Sequence, residues 1–192
     1  MVIGILGVQG AVREHQEMLQ ALDVDTVIVK SATDLETIDG LVLPGGESTT
    51  MRRLIDRYDL FDLLCEKVGT LPMFGTCAGM ILLATELSQG TAHLKGIPMT
   101  VRRNAFGRQV DSFETRLPIE RIGSDIEAVF IRAPYVERIG EGVRVLATVS
   151  DAVVAVETDL HLACSFHPEL TTDTRLHRYF IQKIKQRQTI SV

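Results

Sequence analysis

The chain of 192 residues lacks the features that define several protein classes. It has only three cysteines, no Cys-x-x-Cys pair and no histidine-rich segment with the spacing of metal ligands. An odd number of cysteines cannot all pair within one chain, so these residues predict a reducing compartment and no metal site. No apolar run approaches the roughly 20 residues that cross a bilayer, and the first residues contain no charged leader or cleavage site. We therefore expect a cytoplasmic protein with no membrane partner.

The sequence also has no excess of positive charge. Its 20 lysines and arginines are outnumbered by 25 aspartates and glutamates, which gives a net charge of −5. Nucleic-acid-binding domains usually present a basic face, and the arginine pairs at 52–53 and 102–103 are too short to form one. We expect no nucleic-acid partner. The length and the 45% hydrophobic content are those of one globular domain over residues 1–192.

The most informative segment is Gly-Thr-Cys-Ala-Gly at residues 75–79. It lies between an apolar run that predicts a strand and another that predicts a helix. A thiol between glycines at such a junction is typical of a nucleophile on a tight strand-to-helix turn, where flanking side chains would clash with neighbouring backbone. The start of a helix also favours the thiolate form. Cys77 is therefore the candidate nucleophile, and the alternative is a small buried residue in a glycine-rich turn.

A base and an acid follow a second strand-like run, near the other end of the chain. The segment Phe-His-Pro-Glu at 166–169 closes an apolar run that begins at residue 161. Pro168 favours extended backbone at His167, and residues two apart in extended backbone point to the same side. We predict that His167 and Glu169 meet as a base and the carboxylate that orients it, which with Cys77 gives the groups needed for acyl transfer. A His-x-Glu segment on its own is more often structural.

A third segment, Pro-Gly-Gly-Glu-Ser at residues 44–48, follows a short apolar run. Adjacent glycines after a strand allow backbone N–H groups to approach a reacting atom, and an oxyanion needs two such donors. We assign one donor to Ala78, which follows the candidate nucleophile, and the other to Gly46 or its neighbour. The alternative is an ordinary loop, because Pro-Gly-Gly also suits a turn.

Short apolar runs alternate with helical patterns in the first half of the chain. Strands are expected at 2–6, 26–30, 40–43 and 71–74, and helices at 11–22, 34–38, 51–68 and from 78. This order predicts an α/β fold of three layers, a mostly parallel central sheet flanked by helices, with the catalytic segments at the carboxyl ends of strands. Residues 97–166 are mostly strand-like and predict some antiparallel strands, and a final helix is expected at 174–185. The helix at 51–68 should bury one stripe, namely Leu54, Tyr58, Phe61, Cys65 and Val68.

The segments at 44–48, 75–79 and 166–169 resemble those of the class I, triad-type glutamine amidotransferases, a family with a flavodoxin-like fold. Within that family, the chain is most similar to the glutaminase subunits of pyridoxal 5′-phosphate synthase. The stretches that support this narrower resemblance lie at 6–15, 46–54 and 103–113. The resemblance extends from the first strand to about His177, and no catalytic position departs from the family pattern.

The resemblance implies an activity and a role for each candidate residue. Cys77, His167 and Glu169 would hydrolyse L-glutamine through a thioester intermediate. Gln9 would couple this glutaminase to its partner, a ring-shaped pyridoxal 5′-phosphate synthase subunit that receives the ammonia. No cofactor is implied. The residues expected around the bound glutamine are Gly46, Glu47, Ser48, Arg103, Ile131 and Arg132.

Two other functions remain open from the sequence. With the same chemistry, the chain could serve another synthase, such as imidazole glycerol phosphate synthase. Alternatively, Cys77 could be a redox-sensing thiol on a flavodoxin-like scaffold of the DJ-1 type, a function that has no use for the His-Pro-Glu segment. Packing or surface roles are expected for the remaining cysteines and histidines, which are Cys65, Cys164, His15, His93, His161 and His177.

Overall fold

The computed structural model describes residues 1–103 and 112–190. Most of the stretch at 103–113 that supports the family resemblance therefore lies outside the described residues. The strands are β1 Val2–Leu6, β2 Asp25–Val29, β3 Gly40–Leu43, β4 Met73–Thr76, β5 Ala84–Leu87, β6 Ile97–Arg102, β7 Ser112–Ile119, β8 Gly123–Ile131, β9 Tyr135–Ile139, β10 Arg144–Val149, β11 Ala152–Glu157 and β12 Leu162–Cys164. The helices are α1 Val12–Gln20, α2 Ala32–Glu36, α3 Ser48–Arg57, α4 Phe61–Lys67, α5 Ala78–Leu83 and α6 Arg175–Ile190.

The central sheet has the order β2-β1-β3-β4-β12-β11-β9-β6-β5, and β10 pairs with β11. The first five strands in this order run parallel to one another. From β12 onward the pairs β12–β11, β11–β9 and β9–β6 are antiparallel. The sheet therefore has the predicted parallel half and the predicted antiparallel extension from the second half of the chain. β7 and β8 form a separate antiparallel pair.

Alternating side chains of the parallel strands divide the core between the two faces of the sheet. Leu41 and Leu43 of β3 pack in a cluster with residues of α3, α4 and α5. Val42, between them, packs in a second cluster with residues of α1 and α6. Successive residues of a strand point to opposite faces, so the helices cover both faces and the three-layer arrangement is confirmed. No helix in the two described ranges is long and apolar enough to cross a membrane.

The helix expected at 51–68 is two helices, and the predicted stripe is wrong at Tyr58, although Phe61, Cys65 and Val68 pack against the core as expected. Helix α3 ends at Arg57 and α4 begins at Phe61, with Asp59 between them at a φ of 54°. A residue in this left-handed region ends a helix. The break changes which side chains face the core, so that Ile55 and Leu64 are buried whereas Tyr58 is 44% exposed.

The parallel order brings distant parts of the chain to one edge of the sheet. β1, β3, β4 and β12 lie side by side and run in the same direction. The segments that follow these four strands therefore meet at their carboxyl ends, where open α/β sheets bind ligands. They carry Gln9, Gly46, Cys77 and His167.

Candidate active site

The candidate nucleophile lies at a sharp junction of strand and helix. Cys77 follows the last residue of β4 and precedes the first residue of α5. Its backbone has φ 48° and ψ −102°, a conformation that costs a residue with a side chain about 1–3 kcal/mol. The N–H of Cys77 donates to the carbonyl of Cys164 at 2.9 Å, which holds the turn against β12. Strain of this kind is typical of residues with a functional role.

The two flanking glycines are required by close backbone contacts. A Cβ on Gly79 would lie 2.0 Å from the carbonyl oxygen of Leu43, on the neighbouring strand β3. A Cβ on Gly75 would lie 2.5 Å from backbone atoms of Gly79, at the start of α5. As expected from the sequence, side chains at these positions would clash with the neighbouring strand and helix.

His167 and Glu169 meet, but the backbone between them differs from the prediction. His167 Nδ1 and Glu169 Oε1 are 2.8 Å apart. The strand ends at Cys164, and Pro168–Leu170 forms a 3₁₀ turn rather than extended backbone. Pro168 occupies the first position of this turn, where its missing N–H costs nothing. The tight turn, and not the alternation of a strand, brings the two side chains together.

The electrostatic environment of His167 favours its protonated form. Burial by itself lowers the pKa of His167, but hydrogen bonds with Cys77 and Glu169 outweigh this effect and raise the pKa to about 10. At neutral pH the imidazolium therefore lies between a sulfur and a carboxylate. An imidazolium beside a thiol stabilises the thiolate, which is the nucleophilic form of cysteine.

The glycine loop after β3 packs directly on these groups. A Cβ on Gly45 would be 2.3 Å from Cε1 of His167 and 3.4 Å from Cβ of Cys77. The loop is held from its other side by the segment after β1. The N–H of Ala11 donates to the Gly45 carbonyl at 3.2 Å, and the side-chain oxygen of Gln9 accepts the N–H of Glu47 at 2.9 Å.

A cavity of about 380 Å³ opens at this point. Ala78 and Glu169 do not line it, although Ala78 directly follows Cys77 and Glu169 contacts His167. Ile81 and Pro134, which the sequence analysis did not single out, do line it. The sequence-predicted residues that line the cavity are Gln9, Gly46, Glu47, Ser48, Cys77, Arg103, Ile131, Arg132 and His167.

A family model described as the SNO glutamine amidotransferase family matches residues 5–186. The match spans almost the entire chain and includes all three candidate catalytic segments. The chain belongs to the SNO glutamine amidotransferase family.

Relatives of this SNO-family chain carry the name that the narrower resemblance predicts. A protein of Exiguobacterium sibiricum named pyridoxal 5′-phosphate synthase subunit PdxT is 73% identical over 192 residues, which are 100% of both chains. A protein of the same name from Halalkalibacterium halodurans is 52% identical over 191 residues, or 98% of this chain and 97% of that one. A crystal structure of a glutamine amidotransferase, 46% identical, superimposes with a TM-score of 0.91 over 96% of this chain and 100% of the other. The predicted amidotransferase fold is thereby confirmed.

Charged groups of opposite sign lie together on one wall of the 380 Å³ cavity. Glu47 caps α3, where its carboxylate accepts the N–H groups of Thr49 and Thr50. Its pKa is lowered to about 2, mainly by the hydrogen bond from the Thr50 hydroxyl and by these backbone bonds, although burial opposes the shift. Arg103 Nη2 lies 3.2 Å from Glu47 Oε1 and 3.3 Å from Thr49 Oγ1. The cavity wall therefore offers a fixed negative charge and a cation side by side.

Two further features of the cavity wall suit a polar ligand. Ser48 is 2% exposed, and its Oγ has no hydrogen-bond partner within the described part of the chain. A buried hydroxyl without a partner costs stability unless a ligand or water satisfies it. Arg132 also lines the cavity and brings a positive charge to it. Its backbone has a φ of 43°, a strained conformation at the turn between β8 and Ala133.

Three residues behind the candidate triad, His15, Thr76 and His177, have no specific role predicted from the sequence. His15 and His177 are fully buried and contact each other, and His15 also contacts Thr76. A signal was present in the sequence. His15 shares a helical face with apolar Met18 and Leu19, and His177 lies three residues before Phe180 on the buried stripe of α6. A histidine on a buried helical face requires polar partners.

Buried histidines make the stability of the fold depend on pH. Burial lowers the pKa of His161 and His177 to about 4 and that of His15 well below its usual value, whereas in the unfolded chain each titrates near pH 6.5. Between about pH 6.5 and 4 the unfolded state therefore binds more protons, and the free energy of unfolding falls as the pH falls, by up to about 1.4 kcal/mol per pH unit for each histidine. Chemical denaturation at pH 7 and pH 5 measures this loss.

His167 does not offset the effect, because it is protonated in both states over most of this window. The matched variant is His161→Gln, which removes one of the three histidines named above at a position that does not line the cavity. It should show a shallower dependence of unfolding free energy on pH than the parent chain. Equal unfolding free energies of the parent at pH 7 and pH 5 would contradict the prediction.

Proposed function

We propose that this chain, acting as one cytoplasmic glutaminase domain over residues 1–192, hydrolyses L-glutamine and supplies the ammonia to a synthase subunit that makes pyridoxal 5′-phosphate. One observation carries the proposal. Cys77, His167 and Glu169 form a sulfur–imidazole–carboxylate array at a 380 Å³ cavity. The family match and the name shared by the relatives support the same activity.

The array suits acyl transfer in two half-reactions. The Cys77 thiolate attacks the side-chain amide carbon of glutamine, and the imidazolium of His167 gives its proton to the departing nitrogen, which leaves as ammonia. The resulting thioester is then hydrolysed by a water molecule that His167, now neutral, deprotonates. Glu169 accepts the Nδ1–H of His167, which keeps Nε2 available for both proton transfers.

Backbone N–H groups of Gly46 and Ala78 are the proposed donors to the tetrahedral oxyanion. Ala78 directly follows the nucleophile at the start of α5. Gly46 belongs to the loop whose preceding residue, Gly45, packs on His167 and Cys77. Donors fixed by the backbone stabilise developing charge without reorganisation, and each contributes about 10²–10³ in rate.

The charged wall of the cavity fits the amino-acid end of glutamine. The α-carboxylate requires a cation or several N–H donors, and Arg103 and Arg132 both line the cavity. Glu47, which its helix-capping bonds keep ionised, suits the α-ammonium group. The unpartnered Ser48 hydroxyl can bond to the substrate, and Ile131 covers its aliphatic chain.

The hydrolysis is useful only when the glutaminase is docked on a partner that receives the ammonia. Ammonia released into water at neutral pH is mostly protonated and loses its nucleophilicity, so it must pass directly to a synthase. The proposed partner is the ring-shaped pyridoxal 5′-phosphate synthase subunit, which combines ammonia with ribose 5-phosphate and glyceraldehyde 3-phosphate.

Gln9 is the proposed coupling residue. Its bond to the Glu47 N–H links the segment after β1 to the oxyanion loop, so that docking can organise the loop and activate the enzyme.

Glutaminase assays with and without the synthase subunit test the proposal. We expect slow glutamate formation by the chain alone, a marked increase on adding the synthase subunit, and appearance of the pyridoxal 5′-phosphate chromophore in the same mixture. The control replaces that subunit with imidazole glycerol phosphate synthase and its acceptor, and should give no activation. Glutamate formation that stays at the background level with the pyridoxal 5′-phosphate synthase subunit would refute the assignment.

A further inference from the structure

Two buried histidines lie behind the triad and have no role in the mechanism above. His15 on α1 and His177 on α6 are both inaccessible to solvent, and His15 Nδ1 lies 2.8 Å from His177 Nε2. Burial lowers the pKa of both side chains, that of His177 to about 4, so that both are neutral at pH 7. A neutral imidazole offers one N–H donor and one acceptor.

On its other side, the His15 ring reaches the triad. Its Nε2 lies 3.1 Å from Thr76 Oγ1 and 3.5 Å from Glu169 Oε2. Glu169 uses its other oxygen for His167, and Oε2 is buried without a hydrogen-bond partner in the residues that the structure describes. A buried carboxylate oxygen that lacks a donor is costly, and the His15 nitrogen is placed to supply one.

Two tautomer arrangements are compatible with these contacts. In the first, His177 Nε2–H donates to His15 Nδ1, and His15 Nε2–H points toward Thr76 and Glu169. In the second, His15 donates to His177, so that the lone pair of Nε2 faces the Glu169 carboxylate and His177 Nδ1–H is buried without an acceptor. The first arrangement is favoured, because it turns a donor rather than a lone pair toward a negative charge.

We propose that His15 is a positioning residue for the glutaminase reaction, held by His177 in the tautomer that directs its Nε2–H toward Glu169. The inference rests on the proposed function. The donor stabilises the ionised carboxylate of Glu169 and keeps it aimed at His167, and Glu169 in turn stabilises the imidazolium beside Cys77. His15 keeps its proton throughout the cycle.

Two amide variants test the contacts of the two ring nitrogens of His15 separately. The amide nitrogen of His15→Gln can occupy the position of Nε2 and still donate toward Glu169. The shorter side chain of His15→Asn reaches only the position of Nδ1, so it keeps the contact with His177 and loses the donor to Glu169. In the complex with the synthase subunit, we expect His15→Asn to lower kcat about tenfold or more with little change in KM, and His15→Gln to recover most of the loss.

Alkylation of Cys77 by iodoacetamide provides a readout that does not depend on glutamine turnover. Loss of the donor leaves the Glu169 carboxylate less firmly held against His167, which weakens the thiolate–imidazolium pair, so this pair should be lost at a higher pH. We expect the midpoint of the acid limb of alkylation to rise by about one pH unit in His15→Asn and to stay near the parent value in His15→Gln. The Cys164 thiol also faces Glu169, but burial raises its pKa well above the usual value, so it stays neutral over this range.

His161→Gln is the matched control for general loss of stability. His161 is another buried histidine, but its Nδ1 accepts the Met73 N–H and its Nε2 contacts the Val68 carbonyl, away from the cavity. This variant should lose stability while keeping kcat and the alkylation midpoint. If the parent chain hydrolysed no glutamine and the midpoint still shifted in His15→Asn alone, the proposed function would fail, whereas the positioning of Glu169 by His15 would stand.

Equal behaviour of the Asn and Gln variants in both assays, whether impaired or unimpaired, would overturn the inference, because it would reduce His15 to a packing residue. Should His15→Asn fail to fold, His177→Leu tests the contact between His15 and Glu169 indirectly, through the other nitrogen of the His15 ring. It removes the donor that fixes the His15 tautomer, and we expect a several-fold loss of kcat and a smaller upward shift of the midpoint. An unchanged midpoint and kcat in a folded His177→Leu chain would also overturn the inference.

Discussion

Replacement of Cys77 by alanine is expected to abolish glutamine hydrolysis by the complex with the synthase subunit, with a loss of about 10⁴-fold or more. The sulfur forms the thioester in the proposed mechanism, and no other thiol lines the cavity within the described residues. Docking on the synthase should survive, because the substitution removes one buried atom and leaves the backbone turn in place. Ammonia release and co-elution with the synthase subunit on a sizing column measure the two properties.

Cys65→Ala is the matched control for the nucleophile variant. Cys65 is half-buried on α4 and does not line the cavity. We expect this variant to retain the parent rate of ammonia release in the complex. Substantial ammonia release by Cys77→Ala, or an equal loss in both variants, would exclude a thioester at residue 77.

The candidate catalytic segments could be located from the sequence because each depends on a local requirement of the backbone. Gly75 and Gly79 mark a turn in which a Cβ has no room, and apolar runs on either side predict the strand and the helix. The convergence of the segments also followed, since adjacent parallel strands present their carboxyl ends at one edge. The contact between His167 and Glu169 was predicted correctly but for the wrong reason, because β12 ends at Cys164 and a 3₁₀ turn at Pro168–Leu170, rather than extended backbone, brings the two side chains together.

The parts that could not be predicted depend on contacts between distant residues. His15 and His177 are 162 positions apart in the chain, and neither has a sequence neighbour that indicates the other. The break after α3 was missed for a similar reason. The run 51–68 has helical periodicity throughout, but the core buries Ile55 and Leu64 fully, whereas Leu54 and Cys65 are only partly buried. The left-handed residue Asp59 makes this shift possible.

Gly10→Ala is expected to lower kcat for glutamine by about 10²–10³-fold through displacement of the oxyanion loop. Gly10 has a φ of 97°, and a Cβ there would lie 1.7 Å from the carbonyl oxygen of Gly45. The loop must therefore move by more than an ångström, and the Ala11 N–H that holds the Gly45 carbonyl moves with it. The proposed donor at Gly46 then no longer faces the oxyanion. Steady-state kinetics of the complex, with kcat and KM separated, measure the effect.

Gly90→Ala is the control that separates the effect of the clash at residue 10 from that of backbone strain, because Gly10 and Gly90 have the same φ. Gly90 also has a φ of 97°, but a Cβ there would meet no atom within 4 Å. Alanine at residue 90 should therefore lose about 1–2 kcal/mol of stability from the left-handed backbone alone and keep the parent kcat. If Gly10→Ala and Gly90→Ala had the same kcat in folded chains, the contact between Gly10 and Gly45 would not position the oxyanion loop. A kcat loss confined to Gly10→Ala, at similar stability of the two variants, would instead establish that the segment after β1 positions the proposed oxyanion loop.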